Sequence, residues 1–481
     1  MWLHVPYAVA PRLPEEVPVR LPRRPATTLG ALVTALTLAV TAAGCGGESG
    51  GGGAITLTIT QNAISGGKNA KGADWIKNWV IPRFEAAKRA AGQNVRVRFQ
   101  PNGVEDEVYK TKIALDLKSG RGADVIDIDG IWIGELAQAG YLRPLRELAG
   151  AAVDTWEGWK QIPPAVQGLG IFEGRKYALP VGTDGRVLYY NKELFARAGL
   201  AAQWQPGSWR EVIDAARALK RLPGVTPLQI NAGTAMGEAT TMQGVLPLLA
   251  GTGTEIYSGG KWTGGTGALR DVLGFYREVY SGGLGDPRIQ QEAQGRDKSF
   301  LEFAEGEIGI LAEGDYFWRS VVDPVVGVNP MKNRDRVVGY ALIPAARPGA
   351  GLRGQDFVSM SGGSARVLNP RSRYPALAWE LLSFMHSAAA VEAELGGEAR
   401  VTARTDVNDK VLGRDPMLSF VAEKVLPVTA YRPPLAVYPE VSAALQEATA
   451  AVVSGRSPEE AAAAYHHRLT ELVGASAITP A

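Results

Sequence analysis

Three aspartates sit where side chains could do chemistry. Asp129 closes an apolar run, Asp184 lies between Gly182 and Gly185, and Asp315 opens the aromatic string Asp315-Tyr-Phe-Trp318. Paired carboxylates can cleave glycosides, so an exported glycoside-acting enzyme is one reading. No nucleophile elbow, metal motif or Ser–His pattern supports it. The four histidines, His4, His386, His466 and His467, show no metal-ligand spacing beyond the adjacent pair, and neither a metal nor a cofactor is expected. The same residue types suit capture without chemistry. A polyhydroxylated ligand needs aromatic planes for its C–H faces and carboxylates, amides or arginine for its hydroxyls. Simpler roles compete: Asp129 as a helix N-cap, Trp132 as a core residue and Asp184 as a solvated turn residue.

Cys45 is the only cysteine among 481 residues, so no internal disulfide can form. Before it, Arg20, Arg23 and Arg24 lead into an uncharged stretch from Pro25 to Gly44, which ends in Ala42-Ala-Gly44. That order matches a secretory signal. After it, Gly46-Gly-Glu-Ser-Gly-Gly-Gly-Gly53 reads as a flexible tether. Ala42-Ala-Gly-Cys45 resembles the bacterial lipobox, although the position three before the cysteine is usually Leu. Lipidation of Cys45 and attachment to the extracytoplasmic face of the membrane follow as expectations. Without the first 45 residues, 47 basic residues face 47 acidic ones, from totals of 51 and 49. That balance gives no basic face for a nucleic-acid partner.

Strand and helix patterns alternate along the rest. Ile55–Thr60 and Val95–Phe99 have period-two spacing, and Val125–Ile128 and Val187–Tyr190 are strand-like. Apolar residues from Trp75 to Phe84 recur at helical spacing, with Pro82 as a kink. Ser208-Trp-Arg-Glu211 and Ser457-Pro-Glu-Glu460 are capping boxes that open helices to about Leu222 and Val473. This alternation predicts α/β layers with mainly parallel sheets. Trp75, Trp79, Trp156, Trp159, Trp209 and Trp379 fall in apolar contexts and are left to packing.

Four segments carry a resemblance. Gly122–Asp129 runs into Leu136–Leu145. Gly174–Pro180 runs into Leu188–Phe195 and Ala198–Leu200. Phe303–Ile310 leads to Gly314–Trp318. Gly339–Pro344 is followed by Gly362–Ser364 and a helix over 376–384. Their order resembles the family 1 extracellular solute-binding proteins of ABC importers, in particular the trehalose/maltose-binding type. The resemblance implies a two-lobed, type II periplasmic-binding-protein-like α/β fold with a ligand cleft between hinged lobes. It divides the chain into a signal (1–45), a tether (46–54), a first lobe (55–182 and 361–405) and a second lobe (183–360 and 406–481). Crossovers are expected near 182–185, 357–362 and 400–410.

It also implies a site. Asp129 and Trp132 match a cleft-lining turn, Asp184 an acidic sugar contact, and Tyr316 an aromatic that stacks on a sugar ring beside Asp315. Arg432 lies where the second lobe returns to the cleft, with Tyr431 and Tyr438 as alternatives. Gly363, within Gly362-Gly-Ser364, offers backbone amides or hinge freedom. Gln61 and Asn62 are amide candidates after the first strand, and Glu313 is left open between surface and site. The expected partners are a small sugar, such as an α-glucoside disaccharide or oligosaccharide, and the permease subunits of an ABC transporter. The protein is expected to act as a monomer. A receptor for a non-sugar solute on the same fold is the alternative.

Overall fold

A computed structural model describes residues 54–479, apart from 67–68, 105, 293, 326 and 398. Cys45, the signal-like stretch and most of the tether lie outside the described residues. No described helix is long and apolar enough to cross a membrane.

Twelve strands build the three larger sheets. In chain order they are β1 (Ile55–Gln61), β2 (Val95–Pro101), β3 (Val125–Asp129), β4 (Ala178–Pro180), β5 (Arg186–Asn191), β6 (Thr226–Gln229), β7 (Ile308–Gly314), β8 (Val338–Ala341), β9 (Ile343–Pro344), β10 (Phe357–Ser361), β11 (Ser364–Leu368) and β12 (Thr429–Tyr431). The first sheet has the order β2-β1-β3-β11-β4. Its three amino-terminal strands are parallel, and β11 runs antiparallel to β3 and β4. The second sheet has the order β8-β5-β7-β6. Here β5 is antiparallel to both neighbours, and only β6 and β7 run together. The expectation of mainly parallel sheets therefore fails: the first sheet has two parallel and two antiparallel pairings, and the second has one parallel and two antiparallel. In the second, the reason is that β5 arrives from the first half and enters the sheet from the opposite end. A third sheet, β9-β10-β12, lies where the halves meet.

Local signals act largely as the sequence implies. β1 buries Leu57 and Ile59 and leaves Thr56 and Thr58 more open, while Thr60 is buried at the strand's end. The Trp75–Phe84 stretch is helical, and its irregularity is a π-turn at Ile76–Val80 that ends just before Pro82, which has no amide to donate. Ser208 caps its helix by accepting from the Glu211 amide, while the Glu211 carboxylate accepts from the Gly207 amide and the Ser208 hydroxyl rather than from the Ser208 amide. The Ser457 box closes fully. Trp156 packs edge-on against Trp159 and Trp379, at 5.5 and 6.1 Å between ring centroids.

The chain changes halves along a hydrogen-bonded band. Ser359 bridges β10 to β5, accepting from the Arg186 amide (2.9 Å) and donating to the Arg186 carbonyl (3.0 Å). β10 pairs with β12 in parallel, and Gly182 pairs with Thr402. The helix Thr405–Val411 still packs on Ala388–Leu395 in the first half. By Asp415, which accepts from Trp318 Nε1 at 3.0 Å, the chain has joined the second.

Candidate functional site

Sheet topology brings the candidate residues together. In the first sheet, β1 and β3 are parallel and end in Gln61 and Asp129, while β11 starts with Ser364 opposite Asp129. In the second sheet, β7 ends at Gly314 opposite Arg186, the first residue of β5. These two sheet ends meet the crossover band, and strand ends at such a junction are where ligand-binding loops collect in α/β proteins.

Asp184 sits in that band. Its carboxylate takes the Arg186 guanidinium and the Gly362 amide, the latter at 2.7 Å. Arg186 is buried and also reaches Gln243 Oε1 (3.0 Å) and the Met360 carbonyl (3.2 Å). Burial alone would raise the Asp184 pKa. Arg186, the Gly362 amide and Arg432 outweigh it and hold the carboxyl below its ordinary value. Thr183 joins Gly362 and Tyr431 through its hydroxyl, at 3.2 and 3.3 Å.

Asp315 follows β7 and is 1% exposed. Burial pushes its carboxyl up to about 7, with Asp184 adding to the rise and Arg319 opposing it. Its Oδ1 has no hydrogen-bond partner among the described residues, and neither has Arg319 Nε. The nearest approach of the pair is 3.9 Å, to Asp315 Oδ2. Tyr316, next in sequence, is 43% exposed and presents its ring beside the Arg319 guanidinium. The open Tyr316 ring offers an apolar face beside a buried carboxyl.

A second charged cluster centres on Glu238. Its Oε1 accepts from Arg432 Nη1 (3.2 Å) and Tyr438 OH (2.6 Å), and its Oε2 accepts from Ser442 (2.5 Å). Burial works against the charge on Arg432, but Glu238, Tyr438 and Asp129 together raise its pKa. Arg432 also borders a small void shared with Asp129, Gly362 and Tyr431. Glu238, Arg186 and Gln243 were not candidates from sequence. Gln243 lies on a π-turn, Thr241–Val245, that no residue pattern announces. Glu238 follows a glycine at a helix start, a weak signal.

Other candidates are placed differently. Asp129 accepts from the Ile131 amide at 3.0 Å, which orients it at the turn before the next helix. Trp132 is buried against Tyr109, with centroids 6.2 Å apart, and sits in a hydrophobic core. Asn62 spends both ends of its amide on the Val104 backbone. Gln61 Oε1 lies under Gly72 and has no hydrogen-bond partner among the described residues. Gly363 is needed for close approach: with φ 144°, a Cβ there would come within 2.2 Å of the Gly182 carbonyl oxygen. Its own carbonyl accepts from the Gly130 amide. Glu313 is buried in a two-pronged pair with Arg296, at 2.6 and 2.8 Å, away from the surface. Trp318 packs in the core. Among the described residues no group of three His, Cys, Asp or Glu side chains could hold a metal ion.

The family model for bacterial extracellular solute-binding proteins matches residues 47–392. A binding protein of Brucella abortus (strain 2308) is 25% identical over 311 residues, which cover 63% of this chain and 68% of that one. Among solved structures, an ABC transporter solute-binding protein from Thermotoga lettingae TMO, bound with α-D-tagatose, is similar with a TM-score of 0.61. It is 23% identical, and the likeness covers 88% of this chain and 100% of that one. The sugar-binding protein MalE of Xanthomonas citri is similar with a TM-score of 0.68, at 18% identity over 87% and 97% of the two chains. These likenesses carry the fold, two α/β lobes of the periplasmic-binding-protein type.

Proposed function

Since the chain belongs to the bacterial extracellular solute-binding proteins, we propose that it captures a neutral sugar between its two halves and hands it to the permease of an ABC transporter. The observation that carries this reading is the juxtaposition at the end of β7. Asp315 there is buried with a carboxyl oxygen that has no hydrogen-bond partner among the described residues, and Tyr316 beside it shows an open ring. Asp184 and Arg432 lie across the band, and each already holds an opposite charge, so the cluster as a whole is close to neutral. A neutral site of alternating donors and acceptors suits hydroxyls better than it suits a phosphate or a carboxylate.

The preferred ligand is an α-glucoside of two or more units. Capture proceeds by closure: a sugar that touches both halves binds the closed form better and shifts the population by that difference. Cys45, lipidated, holds the protein at the membrane beside its importer. A thermal-shift screen tests the ligand class, because tight binding raises stability by mass action. Trehalose and maltose come first. A shift with no sugar, but with a charged solute, would overturn the assignment. Replacement of Tyr316 by Ala is expected to weaken sugar binding about tenfold or more, consistent with a lost stacking contact, and to leave the melting temperature nearly unchanged because the ring is open to solvent.

A further inference from the structure

Behind the hinge sheet lies a cavity of about 1050 Å³. Its walls come from both halves. Residues 163–173, which precede β4, form one side, and residues 246–260 with Leu352 and Arg353 form the other. Met360 of β10 and Thr429 of β12 contribute to it from the hinge sheet. Tyr431 and Arg432 border both this cavity and the small void beside Asp129. The lining is chiefly apolar, with Pro163, Pro164, Pro433 and Pro434 around Phe172 and Tyr257. Such a surface has few partners for sugar hydroxyls.

Charge enters the cavity at two turns. Glu173 (φ 47°) and Gly174 (φ 71°) join the two-residue strands Ile171–Phe172 and Arg175–Lys176. Arg353 (φ 58°) and Gly354 (φ 74°) make a second turn on the opposite wall. Two successive positive φ values call for Asn, Asp or Gly at the first position. Here each turn carries a long charged side chain instead. Asn69, Glu173 and Arg353 are the only described non-glycine residues with positive φ, so both charged examples border this cavity. Strained positions of this kind concentrate at ligand clamps. Glu173 on one wall and Glu255 on the other are exposed and have no ion-pair partner among the described residues. The Arg353 guanidinium meets only neutral oxygens, Thr429 O at 3.3 Å and Gln355 Oε1 at 3.4 Å.

We infer that this cavity is a second ligand site, which takes a short peptide with apolar side chains. Its ammonium end meets Glu173 on one wall, its carboxylate end meets Arg353 on the other, and its side chains lie on the proline and aromatic lining. The volume, just above the roughly 300–1,000 Å³ of small-molecule pockets, leaves room for a ligand of two or three residues.

Isothermal titration of the full chain with the dipeptide Phe-Leu, and with its N-acetylated, C-amidated form, tests this. Saturable binding of Phe-Leu is expected, at least tenfold weaker for the blocked form. Glu173→Asn and Arg353→Asn should each lower peptide affinity at least tenfold. They should keep or raise the melting temperature, because Asn is at ease in the left-handed region. Three results would each overturn the site: no binding of Phe-Leu, equal binding of the blocked form, or lower melting temperatures in both variants. A sugar titration of the same preparations keeps the two readings apart, because both variants should bind sugar as the parent protein does.

Discussion

Asp315 keeps its carboxyl in the interior at the end of β7, and its pH behaviour can be derived. Burial raises its folded pKa to about 7, above the unfolded carboxylate value near 4. The folded chain therefore holds this proton more tightly than the unfolded chain does. The stabilisation is complete below about pH 4 and is lost as pH rises towards 7. The melting temperature is expected to fall across that window. Asp315→Asn should flatten this component and leave the protein more stable at pH 7.5, by about 2 °C or more. A calorimetric series from pH 4.5 to 7.5 measures it, and an unchanged slope in the variant would show that Asp315 is ionised throughout. Asp184 has the opposite sign. Its depressed pKa makes its contribution present above the unfolded value and lost as pH falls through the folded one. Asp184→Ala leaves the buried Arg186 without its carboxylate, and because Asp184 itself is 32% exposed and Arg186 keeps Gln243 and the Met360 carbonyl, the loss is expected to be about 1–3 kcal/mol. Urea unfolding of that variant reads the loss directly.

Elements show what sequence could and could not disclose. Strands β1, β2 and β3 were legible because Ile55–Thr60, Val95–Phe99 and Val125–Ile128 state their periodicity locally. The two serine caps were legible for the same reason. Asp129, Asp184 and Tyr316 could be singled out because each lies in or beside a short string that resembles the solute-binding family. Glu238 could not. Its importance comes from Arg432, Tyr438 and Ser442, which fold back across some 200 residues, and nothing within its own neighbourhood encodes that return. The antiparallel entry of β5 was hidden likewise, because periodicity states that a strand exists and not which neighbour it joins. Trp132 lies at the turn after a strand, a place that fits a cleft residue, and its side chain is buried beside Tyr109. Helix Trp132–Gln138 makes one further expectation concrete. A Cβ on Gly134 would stand 1.8 Å from the Pro434 carbonyl oxygen, with backbone on that side and Phe172 on another. Gly134→Ala must push the helix and the 431–435 return loop apart, and overpacking of this kind costs roughly 1–3 kcal/mol. Its melting temperature should fall, and the contacts of Arg432 should loosen with the loop.

At the scale of the whole molecule, the two sheets share their hydrophobic surroundings. Single core clusters include Leu57 and Trp75 with Tyr189 and Phe317, and Tyr109 and Ile113 with Leu188 and Leu228. Lobe closure is expected to be a rotation about the crossover band that leaves the packing within each half in place. Small-angle scattering with and without saturating ligand should show a slightly smaller radius of gyration in the bound state. An identical curve would speak against closure.

The crossover band sets what such a rotation can be. Residues 182–186, β10 and β12 run side by side and are stitched together by Ser359, Thr183 and the β10–β12 ladder. Several linkers lying abreast leave bending about their common line soft, while they stiffen torsion and sliding. The two halves then have close to one degree of freedom between them. A ligand that closes them has one coordinate to restrict rather than six, and correspondingly less entropy to remove.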